Sequence, residues 1–63
     1  MSLSERVIAE WDAAWLWNRH SIATRFGCSL QAAGRVIRRL AREGRISPYG
    51  RRGPFGVLYQ RVG

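Results

Sequence analysis

The sequence predicts a mainly α fold closed by a small β-hairpin, three helices followed by two strands, in a single domain over residues 1–63. Three observations predict it. Apolar residues recur at three- and four-residue steps through most of residues 3–43. Capping residues and glycines stand at the edges of the periodic stretches. From residue 45 the helical period stops and β-forming residues take over.

Ser2 and Glu5 have the spacing of a helix-opening box. Leu3, Val7, Ile8, Trp11, Ala14 and Trp15 then line one face, so helix 1 is expected over about 3–14. Leu16-Trp17 is too short for a helix and reads as a brief strand or an extended link. Asn18 caps a second helix over about 19–26, with Ile22, Ala23 and Phe26 inward and Gly27 as its stop. Ser29 caps a third, over about 30–43, which Gly44 ends. A hairpin is expected over about 45–62. In it Arg45-Ile46-Ser47 form a strand, Pro48-Tyr49-Gly50 break it, Arg51-Arg52-Gly53-Pro54 make the tip, and Phe55–Val62 return. Alternation does not decide whether Val57 and Tyr59 or Leu58 and Gln60 face the core.

Composition excludes several classes. The longest apolar run, residues 13–17, is far below the ~20 residues of a membrane-spanning helix. The first five residues offer no basic segment ahead of an apolar one, so no secretory signal is expected. A single cysteine gives no internal disulfide and no metal-ligand spacing, which suits a reducing compartment. The expected location is the cytoplasm, of a bacterium or of a phage-infected cell. Four acids, one His and one Cys form no nucleophile–base pair, and no glycine-rich phosphate loop occurs. Catalysis, cofactors, metals and small-molecule ligands are therefore not expected.

Charge is more informative. The net charge is +7, and all eleven Lys-or-Arg positions are arginine. Residues 1–18 carry Arg6 against Glu5, Glu10 and Asp12, a balance of −2. Residues 19–63 carry ten Arg against Glu43, a balance of +9. A GC-rich genome could inflate arginine, but it would not deplete acids after residue 18. A polyanionic partner explains both.

The third helix concentrates this charge. Taking Arg35 as 0° and about 100° per residue, Arg38, Arg39, Arg42 and Gln31 fall at about 300°, 40°, 340° and 320°. Ala33, Val36, Ile37 and Leu40 fall opposite, at about 160°, 100°, 200° and 140°. One face is core and the other is an arginine stripe with a glutamine at its start. Solvated helix faces usually mix both signs, and here only Glu43 interrupts. Arginine forks fit phosphate and the guanine O6/N7 edge, and glutamine can bridge adenine N6/N7.

The order of these pieces resembles a winged helix-turn-helix of small bacterial or phage regulators. The resemblance rests on residues 21–29 (SIATRFGCS), 33–40 (AGRVIRRL) and 43–46 (EGRI), and it covers nearly the whole chain. It implies double-stranded DNA as partner and a role in transcription regulation. The third helix would enter the major groove, and the hairpin would act as a wing on the flanking backbone or minor groove. The residues implied are Ser29, Gln31, Ala32, Gly34, Arg35, Arg38, Arg39 and Arg42 on the helix, with Arg51 and Arg52 on the wing. Z-form-binding winged helices are similar in length, but their groove-facing Asn and Tyr fall here at Gly34 and Arg38. Z-form specificity is accordingly not expected.

The remaining residues have quieter readings. Cys28 is expected as a core thiol in the turn between helices. His20 is expected as an exposed histidine near the second helix start, within reach of a phosphate. Trp11 and Trp15 are expected in the core, and Trp17 as an exposed anchor for a weak or DNA-dependent homodimer. The alternative function is a protein-binding adaptor or inhibitor using the Trp-rich helix 1 surface, and structured RNA is a weaker option.

Overall fold

In the computed structural model the described residues are 1–53 and 56–62, with side chains described for 1–50 and 56–62. The element order is α1 (Leu3–Glu10), β1 (Leu16–Trp17), α2 (Arg19–Phe26), α3 (Leu30–Arg42), β2 (Ile46–Gly53) and β3 (Gly56–Arg61). Three helices thus stand beside a three-stranded antiparallel sheet of order β1-β3-β2. The expected hairpin is present, and the short segment before α2 adds a third strand to it.

Local chemistry sets most boundaries. Ser2 Oγ accepts from the Glu5 N–H at 3.2 Å and opens α1. Asn18 Oδ1 accepts from the Ser21 N–H at 2.9 Å, and Ser21 Oγ accepts in return from the Asn18 N–H at 3.4 Å. That reciprocal box satisfies two donors at the start of α2. Ser29 Oγ accepts from the Ala32 N–H at 3.0 Å and starts α3. At the other end of α3 the Arg45 N–H donates to Leu40 O at 2.9 Å and the Gly44 N–H to Ala41 O at 3.1 Å. This crossed pair is a Schellman closure, which needs a left-handed residue, and Gly44 supplies it with φ of 73°. Gly27 (φ 64°) ends α2, also in the left-handed region, with its own N–H and that of Cys28 both donating to Ala23 O.

Helix α1 is shorter than its apolar period predicts, ending at Glu10 instead of near residue 14. Two interactions end it. Asp12 Oδ1 accepts from the Ala14 N–H at 2.8 Å and the Trp15 N–H donates to Asp12 O at 2.9 Å, which closes a turn. From the far end of the chain, the Arg61 guanidinium donates to Ile8 O at 3.1 Å and to Trp11 O at 2.9 Å. A cation thus takes two carbonyls at the negative end of the helix.

Because the helix stops there, two tryptophan assignments change places. Trp15, expected in the core, is 42% exposed, whereas Trp17, expected as an exposed anchor, is only 9% exposed. Trp15 has left the α1 face, and strand alternation turns Leu16 out and Trp17 in. Trp11 stays in the core, 1% exposed, with its indole N–H donating to Trp15 O at 3.1 Å.

The sheet also differs from expectation. Strand β2 continues through Pro48-Tyr49-Gly50 to Gly53 instead of breaking. Proline has no N–H to give a ladder, but β2 lies at the sheet edge, where only one side of the strand is paired. The register pairs Ile46 with Arg61, Ser47 with Gln60, Pro48 with Tyr59 and Tyr49 with Leu58, and it shifts between Tyr49 and Gly53. The Tyr59 side is the inner one: Tyr59 packs against the core, and Arg61, two residues on, reaches α1. The expectations for Pro54 and Phe55 concern residues outside those described.

One core ties the elements together. Val7, Ile8 and Trp11 meet Trp17, Ile22, Ala33, Val36, Ile37, Leu40 and Ile46, with Leu3, Phe26, Cys28 and Tyr59 packed against them. Cys28 is half-buried against this core. His20 is half-buried as well, less open than expected.

Candidate nucleic-acid interface

Helix α3 is held from beneath. Ala33 and Leu40 are fully buried and Val36 and Ile37 nearly so, so this face is spent on the core. Gln31, Arg35, Arg38, Arg39 and Arg42 are all exposed on the other face. The helix therefore presents one row of cations around an amide, in the order the sequence places them. Ser29 is exposed, with its hydroxyl accepting from the Ala32 N–H, while Ala32 and Gly34 are half-buried. Gly34 has no internal reason to lack a side chain, since a Cβ built there meets nothing within 4 Å.

The arginines are not equally available. Arg39 Nε lies 3.2 Å from Glu43 Oε2, one turn along the helix. Arg45 Nη1 lies 4.0 Å from Glu43 Oε1. Among the described residues, Arg35, Arg38 and Arg42 have no ion-pair partner. An unpaired guanidinium on a rigid helix is a ready donor for a phosphate or for a base edge.

Arg45 joins this surface although α3 periodicity could not include it, because it lies beyond the helix end. The pointer in the sequence was Glu43, the one acid after residue 18, flanked by arginines. Arg51 and Arg52 belong to β2 in their backbone. Their side chains lie outside those described.

Other arginines serve elsewhere. Arg25 lies 5.4 Å from the Trp15 ring centroid and 5.5 Å from that of Trp17, and its Nη2 is 3.4 Å from Glu10 Oε1. Arg6 lies 6.0 Å from the Phe26 ring centroid. Arg61 is committed to the α1 carbonyls.

Among the described residues no group of three His, Cys, Asp or Glu could hold a metal ion, and no helix is long and apolar enough to cross a membrane. Comparison with family models, with curated proteins and with solved structures gives no significant match.

Proposed function

We propose that the protein is a double-stranded-DNA-binding module of the winged helix-turn-helix type, acting as a small transcriptional regulator. In this reading α3 enters the major groove and the β2–β3 hairpin, with Arg51 and Arg52, follows the flanking backbone or minor groove. One observation carries it: the exposed face of α3 is a stripe of four arginines and Gln31, opposite a fully spent core face. Gln31 and Arg35 lie toward the N-terminal half, where recognition helices reach base edges. Arg38, Arg39 and Arg42 continue toward the backbone.

A single module of this size buries about 600–1,000 Å² on DNA and reads few base pairs. The reading therefore includes a second copy on an adjacent half-site, which sedimentation with and without duplex would detect. The direct test is a salt series with duplex DNA, single strands and RNA. Duplex binding should weaken with a log–log slope of roughly −5 to −6, as six or so phosphates are neutralised. A flat dependence, or no binding at low salt, removes the reading.

A second reading, a protein-binding adaptor, is favoured by one observation: Trp15 and Leu16 are 42% and 38% exposed on the side bearing Arg25. If it holds, Trp15→Ala abolishes partner capture and leaves duplex affinity unchanged.

A further inference from the structure

Glu43 is the only acid in the +9 portion of the chain, and it stands where an acid is least favourable. It caps the C-terminus of α3, so its carboxylate adds to the negative end of the helix dipole. Its Oε2 nevertheless accepts from Arg39 Nε–H at 3.2 Å, and its Oε1 faces Arg45 Nη1 at 4.0 Å, an ion pair without a hydrogen bond. The three side chains line one open concavity with Arg61 and Glu5, between α1, the end of α3 and the end of β3. Arg61 is already donating to Ile8 O and Trp11 O, which leaves Arg39 and Arg45 as the guanidiniums available there.

We infer that Arg39 and Arg45 form a phosphodiester-binding clamp at the flank of α3, and that Glu43 is a tethered competitor occupying it in the free protein. A carboxylate and a phosphate offer a guanidinium the same pair of acceptor oxygens. A backbone phosphate can therefore take the place of Glu43 between the two arginines. The three participating side chains are all about half exposed, so exchange requires no opening of the core. The competitor lowers affinity for any duplex by the strength of the interactions it withholds. Glu43 thereby sets the overall affinity for duplexes of every sequence and leaves discrimination between sequences to Gln31 and Arg35. This inference rests on the DNA-binding reading.

The test compares wild type, Glu43→Gln, Asp12→Asn, and Glu43→Gln combined with Arg45→Ala, each titrated with random-sequence duplex across a salt series. Asp12→Asn is the matched control: it removes the same charge away from the clamp, and the amide oxygen can keep the turn bond to Ala14 N–H. Glu43→Gln should bind about five- to tenfold tighter near 0.1 M salt, with a slope steeper by about 0.9–1.8 as one or two further phosphates engage. Asp12→Asn should change affinity less than about twofold, because an exposed charge remote from the contact is largely screened. The double variant should lose most of the gain. Equal gains from Glu43→Gln and Asp12→Asn, or a gain that survives Arg45→Ala, would overturn the clamp while leaving the DNA reading intact. No duplex binding by any of the four proteins would overturn both. Thermal unfolding of each variant checks that the folded fraction is the same.

Discussion

The arginines of α3 and those around the Trp turn have the same chemistry and opposite employment. On α3, Arg35, Arg38 and Arg42 project from a helix whose other face is buried, and none has an ion-pair partner among the described residues. Around residues 10–17 the guanidiniums are engaged by the protein's own rings, carboxylate and carbonyls, although Arg25 stays about half exposed. Arg25 stacks beside Trp15 and Trp17 and meets Glu10, and Arg61 closes the end of α1. Net charge counts both groups alike. Only the first group is free to act on another molecule, so the +7 overstates what a polyanion would meet.

The largest expected effect falls on the engaged group. Arg61→Ala leaves the Ile8 and Trp11 carbonyls without their charged donor, and should cost about 1.5–3 kcal/mol of stability. For a domain of this size that lowers Tm by roughly 6–24 °C, which calorimetry would register; an unchanged Tm would show that α1 ends without help from β3. On the outward side, Arg35→Ala should leave Tm within about 2–4 °C but cost about 1–3 kcal/mol in binding to a preferred duplex, relaxing preference at one position. Equal losses on preferred and random duplexes would remove base readout.

Gly34 sharpens the contrast, because it is the one α3 position where fold and function should pull apart. A Cβ there meets nothing, so Gly34→Ala should stabilise the helix by about 0.5–1 kcal/mol. If the helix backbone approaches DNA closely at this point, the same methyl group weakens duplex binding. A variant both more stable and tighter-binding would place Gly34 outside the interface. The smallest effect belongs to Arg25→Ala, which should lower stability by about 0.5–1 kcal/mol because the cation–ring attraction to Trp15 and Trp17 goes with it.

The same division explains what was legible in the sequence. Helices α2 and α3 are specified locally: Asn18 with Ser21, Ser29, Gly27 and Gly44 mark their ends, and a 3.6-residue period separates Val36, Ile37 and Leu40 from the arginine stripe. All of that can be read from neighbours within four residues. The end of α1 is specified in part by Arg61, fifty residues beyond Trp11, and no periodicity reports a bond of that span. The apolar pattern ran on through Trp15, so extending the helix exchanged the fates of Trp15 and Trp17. Asp12 was the local sign of the turn, overridden by that pattern. Strand β1 has two residues and acquires its identity from Tyr59 and Gln60. At the site, Gln31 and the four α3 arginines stand exposed where the helix arithmetic put them, whereas the link of Arg39 to Arg45 through Glu43 required the chain to turn after Gly44.

The central claim is that the outward α3 arginines, together with Arg51 and Arg52 of the hairpin and not the total of eleven, meet the phosphates of a duplex. It is tested most directly by the salt dependence of duplex binding for wild type, Arg38→Ala/Arg42→Ala and Arg25→Ala/Arg6→Ala. Both double variants remove two charges. The α3 pair should make the log–log slope shallower by about 1.8, at roughly 0.9 for each phosphate no longer neutralised, while the Arg25/Arg6 pair, engaged with Trp15, Trp17, Glu10 and Phe26, should leave it unchanged. The same change of slope in both, or no change in either, would contradict the claim.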